Sequence, residues 1–375
     1  MSLVEGGEVK KITDYEKLIK YFGVSKIDPI LGRFKDPHRL LKRGIVFAHR
    51  DFDKILDEVD KGKIFAVLSG RGPSDRMHLG HLTLYEFNLY LQKKMGANVY
   101  IPLSDDEKYV FRKVENLEKA KYFALDNILD IVALGYDPKK TECFISTEFP
   151  WVYKTAINLS RYLTYSTVKA VFGFKGENNP GEIFYSCIQM AHILYPVLVH
   201  NLPTVVPVAI DQDPYIRISR DVAEKIRVFK PAGIYLKYLR GLTGEPMSSS
   251  QPETCIFATD SPEEAKKKIW NAFTGGQPTV KEQREKGGNP DICVVYEMLN
   301  IYFIEDDKEV EKLRNDCING NILCGECKLK LMDYVVKFLE KHKREREKYK
   351  YKLKDFFIHE IDEDLLAEIP LNSTF

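Results

Sequence analysis

The sequence lacks the features that would assign it to a membrane, secreted or strongly charged class of protein. Its 375 residues carry a net charge of only +1, so any attraction to nucleic acid has to come from a local excess of charge. No apolar run approaches the length that spans a bilayer, and the N-terminus has no apolar secretory segment. Internal repeats and low-complexity linkers are missing too. We therefore expect a cytoplasmic protein that does not work in a membrane.

Cysteine is also scarce, with seven in the chain, which is an odd number. Without a secretory context we expect reduced thiols rather than disulfides. Cys324 and Cys327 form a C-x-x-C pair, the spacing of zinc or redox chemistry, yet a second pair and a nearby histidine are missing. Cys293 and Cys317 would complete a site only in a particular fold. We predict no metal site.

What the chain does contain is an alternation of apolar strands and helical segments. With 44% hydrophobic and 30% charged residues, and a length that suits two domains, it has the composition of a soluble globular protein. Continuous apolar runs between helical patterns predict an α/β fold with a parallel sheet covered on both faces. The predicted strands are 64–68, 98–103, 143–146 and 204–210, and the helices between them are 81–94, 117–134 and 187–200.

The strand patterns fade after about residue 260, and a helical second domain is predicted there. The predicted helices are 262–273, 291–304, 307–319 and 326–350. We accordingly divide the chain into an N-terminal extension (1–60), a sheet domain (61–260), a helical domain (261–348) and a C-terminal segment (349–375).

The first candidate site joins the first predicted strand to its helix, in Ser69–Ser74 and Met77–His81 (SGRGPS and MHLGH). It is neither a GxGxxG fingerprint nor a P-loop. The glycines let backbone approach a ligand closely, and a helix N-terminus offers amide donors and a partial positive charge. A metal would need a third ligand, and a single histidine is more often packed or capping. The combination predicts a phosphate-binding turn.

Two acidic segments follow other predicted strands. Ser104–Lys108 (SDDEK) comes after the second strand, although Ser104 and Glu107 also have the spacing of a capping box. Asp211–Asp213 (DQD) comes after the fourth, where carboxylates suit ribose hydroxyls, an ammonium group or magnesium. Ligands of parallel sheets bind beyond the carboxyl ends of the strands, so both segments are candidates.

Two further segments have both a functional and a structural interpretation. Residues 244–251 (GEPMSSSQ), which we call the serine loop, resemble a mobile phosphate-handling loop, although "MSSS" alone also suits any flexible turn. Residues 341–354 carry eight Lys or Arg against two Glu, which fits a solvated helix face or an RNA contact, and we favour the former.

In this order along one α/β domain, these segments resemble the class I aminoacyl-tRNA synthetases, and within them the tryptophanyl-tRNA synthetases of archaeal and eukaryotic type. The resemblance covers about 46–350. It rests on VFAHRDFDKIL, SGRGPS with HLGH, SDDEKY, AVFGF, AIDQDPY with RDVA, MSSSQPET and the GGQPTVKEQREKGGNPD region.

This resemblance implies a Rossmann-like catalytic domain and a two-step reaction. The carboxylate of an amino acid, tryptophan by family, attacks the α-phosphate of ATP, which Mg²⁺ accompanies, and the aminoacyl-adenylate then esterifies the 3′ end of a tRNA. An enzyme nucleophile is not needed, because positioning and stabilisation of phosphate charge suffice. The resemblance also implies a homodimer, an anticodon-binding role for the helical domain, and a C-terminal segment that packs back on the catalytic domain.

The implied site residues fall into three groups. Those that bind ATP are Gly70, Arg71, Gly72, Pro73, His78, Gly80, His81, Asp211 and Asp213. The catalytic groups are His78, His81, Met247, Ser248, Ser249 and Ser250. The amino-acid site contains Glu107, Lys108, Gln189 and Gln212, with Leu68, Pro102 and His192 at its side-chain end.

The sequence departs from the family at both ends of this site. Leu68 and Pro102 replace a tyrosine and a glutamine that read the indole N–H in the family, and Pro246 replaces the lysine of the serine loop. His192 offers either a new hydrogen bond to a ligand or simple packing. Lys237 and Arg240, upstream of the loop, are candidates to replace part of the lost cation. Two hypotheses follow: a working tryptophanyl-tRNA synthetase, or a divergent homologue that binds another amino acid, tRNA or a protein partner.

Overall fold

The structure is a computed structural model that describes residues 14–371 and, before them, two short strands at 4–5 and 8–9. The ends of the predicted N-terminal extension and C-terminal segment therefore lie partly outside the described residues. The two short strands, β1 (Val4–Glu5) and β2 (Glu8–Val9), pair with each other and not with the main sheet.

A seven-stranded sheet forms the centre of the protein, in the order β3-β4-β9-β8-β5-β6-β7. The five strands from β9 to β7 run parallel, while β3 and β4 are antiparallel to their neighbours at one edge. The strands are β3 (Ser25–Lys26), β4 (Val46–Arg50), β5 (Ala66–Leu68), β6 (Asn98–Leu103), β7 (Thr141–Ile145), β8 (Thr204–Ala209) and β9 (Ala232–Leu236). The predicted α/β fold with a parallel sheet is confirmed.

Within the described residues, ten helices surround this sheet, and two apolar cores flank it. The helices are α1 (Tyr15–Phe22), α2 (Arg39–Lys42), α3 (Phe52–Asp60), α4 (Leu79–Met95), α5 (Asp105–Val110), α6 (Leu117–Val132), α7 (Pro150–Ser160), α8 (Tyr165–Phe172), α9 (Pro180–His200) and α10 (Asp213–Lys225). Gly96 ends α4 in the left-handed region (φ 74°), as its position after the helical pattern predicts.

The remaining helices follow without further strands in the described residues and enclose a third apolar core. They are α11 (Pro262–Trp270), α12 (Val280–Lys286), α13 (Val294–Met298), α14 (Asp307–Ile318), α15 (Cys324–Lys350) and α16 (Glu363–Glu368). A π-helical turn, Leu299–Phe303, continues α13. The four predicted helices are present, whereas α12 and α16 were not predicted.

Three strands of the main sheet, β3, β4 and β9, were missed by the sequence analysis. β4 lies within the predicted extension and contributes to the sheet, as does β3. β4 carries His49 and Arg50, and β9 contains Gly233 after a proline, so neither is an uninterrupted apolar run. The sheet thus begins before residue 61, and the domain boundaries themselves stay a prediction.

Helix α9 is the most apolar helix of the fold. It has 21 residues, and an 18-residue window of it is apolar enough to span a membrane by length and composition alone. The sequence analysis did not expect an apolar segment of that length. Two-thirds of that window (67%) is buried inside the protein, against α7, α10 and strand β8. Its apolar character is therefore explained by its place in the core.

The end of the chain returns to the sheet. Helix α15 runs from the helical domain to α6, where Arg346 forms buried ion pairs with Asp126 and Asp130. Beyond it, the Ile358 N–H donates to the Cys143 carbonyl of β7 (3.2 Å). Most of the basic run 341–354 is exposed or half-buried, in keeping with a solvated face, except that His342, Arg346 and Leu353 are buried.

Candidate active site

Three of the predicted segments meet at one edge of the sheet. The turn after β5, the acidic loop after β6 and the turn after β8 follow neighbouring parallel strands, since the sheet has the order β8-β5-β6. The chain moves outward from β5 to β6 and β7 and then returns to the other side of β5 with β8. This reversal of direction creates a crevice at the carboxyl ends of the strands, where doubly wound sheets bind nucleotides.

His78 and His81 are stacked at the N-terminus of α4, with ring centroids 3.6 Å apart. The His78 N–H donates to His81 Nδ1 (3.4 Å), which orients the second ring. Burial, followed by the charge of Arg71, lowers the pKa of His78 to about 3 and that of His81 well below its usual value. Both imidazoles are therefore neutral at physiological pH. His78 Nδ1 is buried without a hydrogen-bond partner among the described residues, and so it can bind a substrate.

Arg71 carries the positive charge of this turn. Its Nε donates to Asn127 Oδ1 (2.7 Å), and its Nη1 lies 3.3 Å from His81 Nε2. Burial lowers the pKa of Arg71, but a guanidinium remains charged throughout the physiological range. Asn127 also donates to the Asp75 carbonyl (2.9 Å). Asn127 is thus an orienting residue of the site, and it was missed because it lies in the middle of a helical pattern.

The glycines of the site have different importance. A side chain on Gly72 would overlap Glu107 and Lys108, and one on Gly80 would lie 3.0 Å from Met247 Sδ. A side chain on Gly70 would meet nothing closer than 3.4 Å. Pro73, the fourth small residue predicted here, is buried. A side chain at position 72 would therefore displace the ends of Glu107 and Lys108, one at position 80 would press on Met247 and His78, and one at position 70 would fit.

The serine loop docks onto the histidine pair. Met247 packs against Gly80, and Ser249 Oγ donates to the Arg76 carbonyl (3.3 Å). Inside the loop, the Ser248 N–H donates to Thr254 Oγ1 (3.0 Å), and the hydroxyls of Ser248 and Ser250 are 2.9 Å apart. The fold brings the predicted catalytic residues of the turn and the loop together.

The two suggested replacements for the loop lysine have other partners. Arg240 forms an ion pair with Glu297 and donates to the Asp291 carbonyl (3.0 Å). Lys237 lies over the ring of Tyr15, with its Nζ 5.1 Å from the centroid. Both side chains are thus engaged with other groups, although the backbone of Arg240 pairs with that of Pro246, so their replacement of the loop lysine stays a hypothesis. Arg76, which the sequence analysis did not single out, lies beside the loop on the ring of Phe257 (4.0 Å).

The acidic loop after β6 does not form the capping box that its spacing allows. Ser104 precedes α5 without a side-chain capping bond, and Glu107 pairs with Lys108 instead (Oε1–Nζ 2.9 Å). Burial, followed by Asp105, raises the pKa of Asp106 to about 7. Asp106 accepts a hydrogen bond from the Tyr153 hydroxyl (3.0 Å). Glu107 and Lys108 are thus a half-buried charged pair of this loop.

The segment after β8 divides into two parts. Gln212 donates to Asp211 Oδ2 (3.0 Å), and Asp211 Oδ1 has no partner among the described residues. Asp213 is buried and accepts two hydrogen bonds from Arg50 (2.8 and 2.9 Å) and one from the Tyr235 hydroxyl. The structure therefore gives Asp213 a role in joining β4, β9 and α10, and its predicted contact with ATP stays a prediction that this geometry does not favour.

The residues at the side-chain end of the amino-acid site are buried, Leu68 and Pro102 among them. On α9, Gln189 Oε1 accepts a hydrogen bond from the Tyr185 hydroxyl (2.7 Å). His192 is fully buried and lies 3.0 Å from Ser146 Oγ through its Nε2.

The four cysteines of the helical domain lie around one point of the fold, which is the arrangement that a shared metal site would need. Cys293, Cys317, Cys324 and Cys327 line one small cavity between α12, α13, α14 and α15. Within 14–371, however, no three His, Cys, Asp or Glu side chains are placed to hold a metal ion. All seven cysteines are free thiols.

Comparison with known proteins agrees with this geometry. Residues 60–340 match the family of class I tRNA synthetases for tryptophan and tyrosine. The tryptophan–tRNA ligase of Pyrococcus furiosus is 45% identical over 347 residues, 90% of this chain and 89% of that protein. That of Pyrobaculum arsenaticum is 43% identical and covers 90% of this chain and 92% of its own length.

Solved structures give the same result. The tryptophanyl-tRNA synthetase of Aeropyrum pernix has a TM-score of 0.86 at 35% identity, covering 96% of this chain and 100% of that one. The enzyme of Encephalitozoon cuniculi bound to tryptophan has a TM-score of 0.79 at 31% identity, again over 96% and 100%. The resemblance drawn from the sequence is confirmed, and ATP is a substrate of this family. The chain belongs to the class I tRNA synthetases for tryptophan and tyrosine, in the branch of the tryptophan–tRNA ligases.

Proposed function

We propose that this chain activates tryptophan with ATP and transfers it to tRNA. The observation that carries the proposal is the docking of the serine loop on the histidine pair, through Met247 and Gly80, close to the Glu107–Lys108 pair. This arrangement places a phosphate-binding turn beside a site for an ammonium and a carboxylate. Attack of that carboxylate on the α-phosphate forms the adenylate and releases pyrophosphate, and the 3′ hydroxyl of tRNA then displaces AMP.

At the phosphate end, the protein acts by hydrogen bonding and fixed charge. The neutral rings of His78 and His81 offer donors and acceptors rather than positive charge. The guanidinium of Arg71 and the amides at the start of the 17-residue helix α4 meet the negative charge of the phosphates. Mg²⁺ travels with ATP as part of the substrate. Because these groups are held before the substrate arrives, little reorganisation is needed in the transition state.

At the amino-acid end, Glu107 suits the substrate ammonium and Lys108 its carboxylate. The two side chains neutralise each other at 2.9 Å in the free protein, and an amino acid would exchange that pair for two new ones. Gln189 and Gln212 supply amide groups nearby. This part of the site recognises any amino acid, so the choice of side chain is made elsewhere in the pocket.

Replacing Glu107 by glutamine is expected to raise the KM for tryptophan by about 10- to 100-fold, because a hydrogen bond between charged groups contributes roughly 1.5–3 kcal/mol. The measurement is tryptophan-dependent ATP–pyrophosphate exchange. Glu115→Gln is the matched control, since Glu115 is exposed and pairs only with Lys119 (3.3 Å). Equal KM values for Glu107→Gln and the control would show that Glu107 does not hold the ammonium.

We further propose that the helical domain binds the tRNA anticodon, that the chain forms a homodimer, and that it works in the cytoplasm. These statements follow from membership of the family. Light scattering coupled to size exclusion tests the dimer, and a monomer at micromolar concentration would contradict it. Charging of tRNA with labelled tryptophan tests the second reaction step.

The whole proposal is tested by pyrophosphate exchange with each of the twenty amino acids. Exchange with tryptophan alone is the expected result. Exchange with a different amino acid would support a changed specificity, and no exchange together with retained tRNA binding would support a binding protein. The comparisons give no support to such divergence, which rests only on Leu68, Pro102 and Pro246. Restoring tyrosine, glutamine and lysine at those three positions together is the complementary experiment.

A further inference from the structure

The buried ring of His192 has one tautomer that satisfies its neighbours. Ser146 Oγ donates its single hydrogen to the Leu103 carbonyl (3.2 Å) and lies 3.0 Å from His192 Nε2. A hydroxyl that has already given its proton can only accept, so the proton between Ser146 and His192 belongs to Nε2. The other ring nitrogen, Nδ1, therefore carries a lone pair.

That lone pair has no partner in the described part of the chain. Nδ1 of His192 is buried and forms no hydrogen bond, and the side chain is 0% exposed. Burial lowers the pKa of His192 to about 3, so the ring stays unprotonated at physiological pH. Buried acceptors are normally paired, and one left alone in a native protein requires an explanation.

The position of His192 connects it with the amino-acid site. It follows Gln189 by three residues on the same face of α9. Its ring lies 5.7 Å from that of Phe144, which is the register partner of Pro102 across β6 and β7. Leu68 and Phe144 belong to the same apolar cluster. His192 thus lies against the apolar cluster that contains Leu68 and Phe144, on the side of the sheet where Leu68 and Pro102 bring no acceptor.

We propose that His192 Nδ1 accepts the indole N–H of tryptophan, and that this residue determines the specificity of the site. The inference rests on the proposed function. An indole has a single N–H donor and is otherwise apolar, which matches one acceptor among apolar side chains. The nearby polar atoms are less suitable: Ser146 Oγ already donates and accepts, and Asp106 is bonded to Tyr153 and to the Glu107 N–H.

The experiment compares tryptophan with β-(3-benzothienyl)alanine, which has nearly the same shape and sulfur in place of the N–H. Both are assayed by pyrophosphate exchange on the same enzyme preparation. We expect the wild type to prefer tryptophan in kcat/KM by about 10- to 100-fold, because the thienyl analogue leaves Nδ1 unpaired. In His192→Leu the preference is expected to fall to within about threefold of unity. The ratio is independent of the folded fraction, so partial misfolding does not affect it.

His200→Leu is the matched control, because His200 ends the same helix and contacts Glu142 (3.1 Å) rather than the pocket. It should keep the wild-type ratio. A His192→Leu enzyme that still prefers tryptophan would overturn the inference and direct attention to Asp106, and so would a wild type that does not distinguish the two substrates. A wild type without any tryptophan-dependent exchange would instead contradict the proposed function.

A measurement on the wild-type protein covers the case in which His192→Leu does not fold. In ¹⁵N-histidine-labelled protein, His192 should show an unprotonated Nδ1 whose resonance shifts upfield on addition of tryptophan. The thienyl analogue should leave that resonance unchanged, since it has no proton to donate. Equal responses to the two ligands would overturn the inference without any mutation in the pocket.

Discussion

A Pro246→Lys variant is expected to form tryptophanyl-adenylate about 10- to 100-fold faster than the wild type. In the family, a lysine at this position follows the charge of the leaving pyrophosphate. One such transition-state donor typically contributes on the order of 10²–10³ in rate. We expect a smaller gain because Arg76 already lies beside the loop, with its carbonyl bound to Ser249.

The site tolerates this change on structural grounds. Pro246 is exposed, and its backbone pairs with Arg240 in a single bridge. A lysine there adds a flexible cation without displacing a packed side chain. Lys237 and Arg240 do not compete with it, since both have partners elsewhere.

Single-turnover adenylate formation, followed by rapid quench, is the direct measurement. Because the lysine acts on charge that develops during the reaction, kcat should rise while the KM for ATP changes little. Pro252→Lys is the matched control, since it adds the same charge at an exposed proline a few residues later in the chain. If both variants match the wild type, charge in this loop does not limit the reaction, and Arg76→Met becomes the next test.

The parts of this site that the sequence could predict lie at the ends of buried parallel strands. Such strands appear as continuous apolar runs, so β5, β6 and β8 and the loops after them could be located from the sequence. β4 could not, because it is held by partners distant in the chain, such as the Arg50–Asp213 ion pair. Strands with mixed polarity depend on such contacts more than on their own composition.

The roles of long or charged side chains were predicted least well, for the same reason. Asp213 follows Asp211 by two residues, yet one carboxylate is buried in an ion pair and the other keeps an unpaired oxygen. The direction of each side chain depends on where the helix after β8 begins, which spacing alone does not fix. Arg240 and Lys237 likewise find partners in segments that only the fold brings near. The tautomer of His192 depends on Ser146, which lies 46 residues away.

An Arg346→Met variant is expected to lose about 3–5 kcal/mol of stability, because removing one partner of a buried ion pair leaves the others uncompensated. Arg346 is 0% exposed. It donates to Asp126 Oδ1 (2.7 Å), to Asp130 and to the Pro370 carbonyl (3.1 Å). His342 of the same helix also contacts Asp130 (2.9 Å). Without the guanidinium, two carboxylates of α6 would stay buried with only His342 beside them.

This prediction is measured by urea unfolding at equilibrium, with Arg344→Met as the matched control. Arg344 is exposed on the same helix, and its replacement should change the free energy of unfolding by no more than about 0.5 kcal/mol. Adding Asp126→Asn and Asp130→Asn to Arg346→Met should recover part of the loss, since the buried charges disappear together. A triple variant no more stable than Arg346→Met would show that the cost came from lost packing.

The same variant tests whether α15 couples the two parts of the molecule. Trp151 lies in α7 beside the sheet and Trp270 in α11 of the helical domain, and the chain has only these two tryptophans. Fluorescence of Trp151→Phe and Trp270→Phe proteins therefore reports each part separately. Arg346 joins α15 of the helical domain to α6 beside the sheet. Its loss should therefore separate the unfolding transitions of the two parts, which coincide in the wild type. Coincident transitions in Arg346→Met would mean that the apolar contacts of α15 suffice for the coupling.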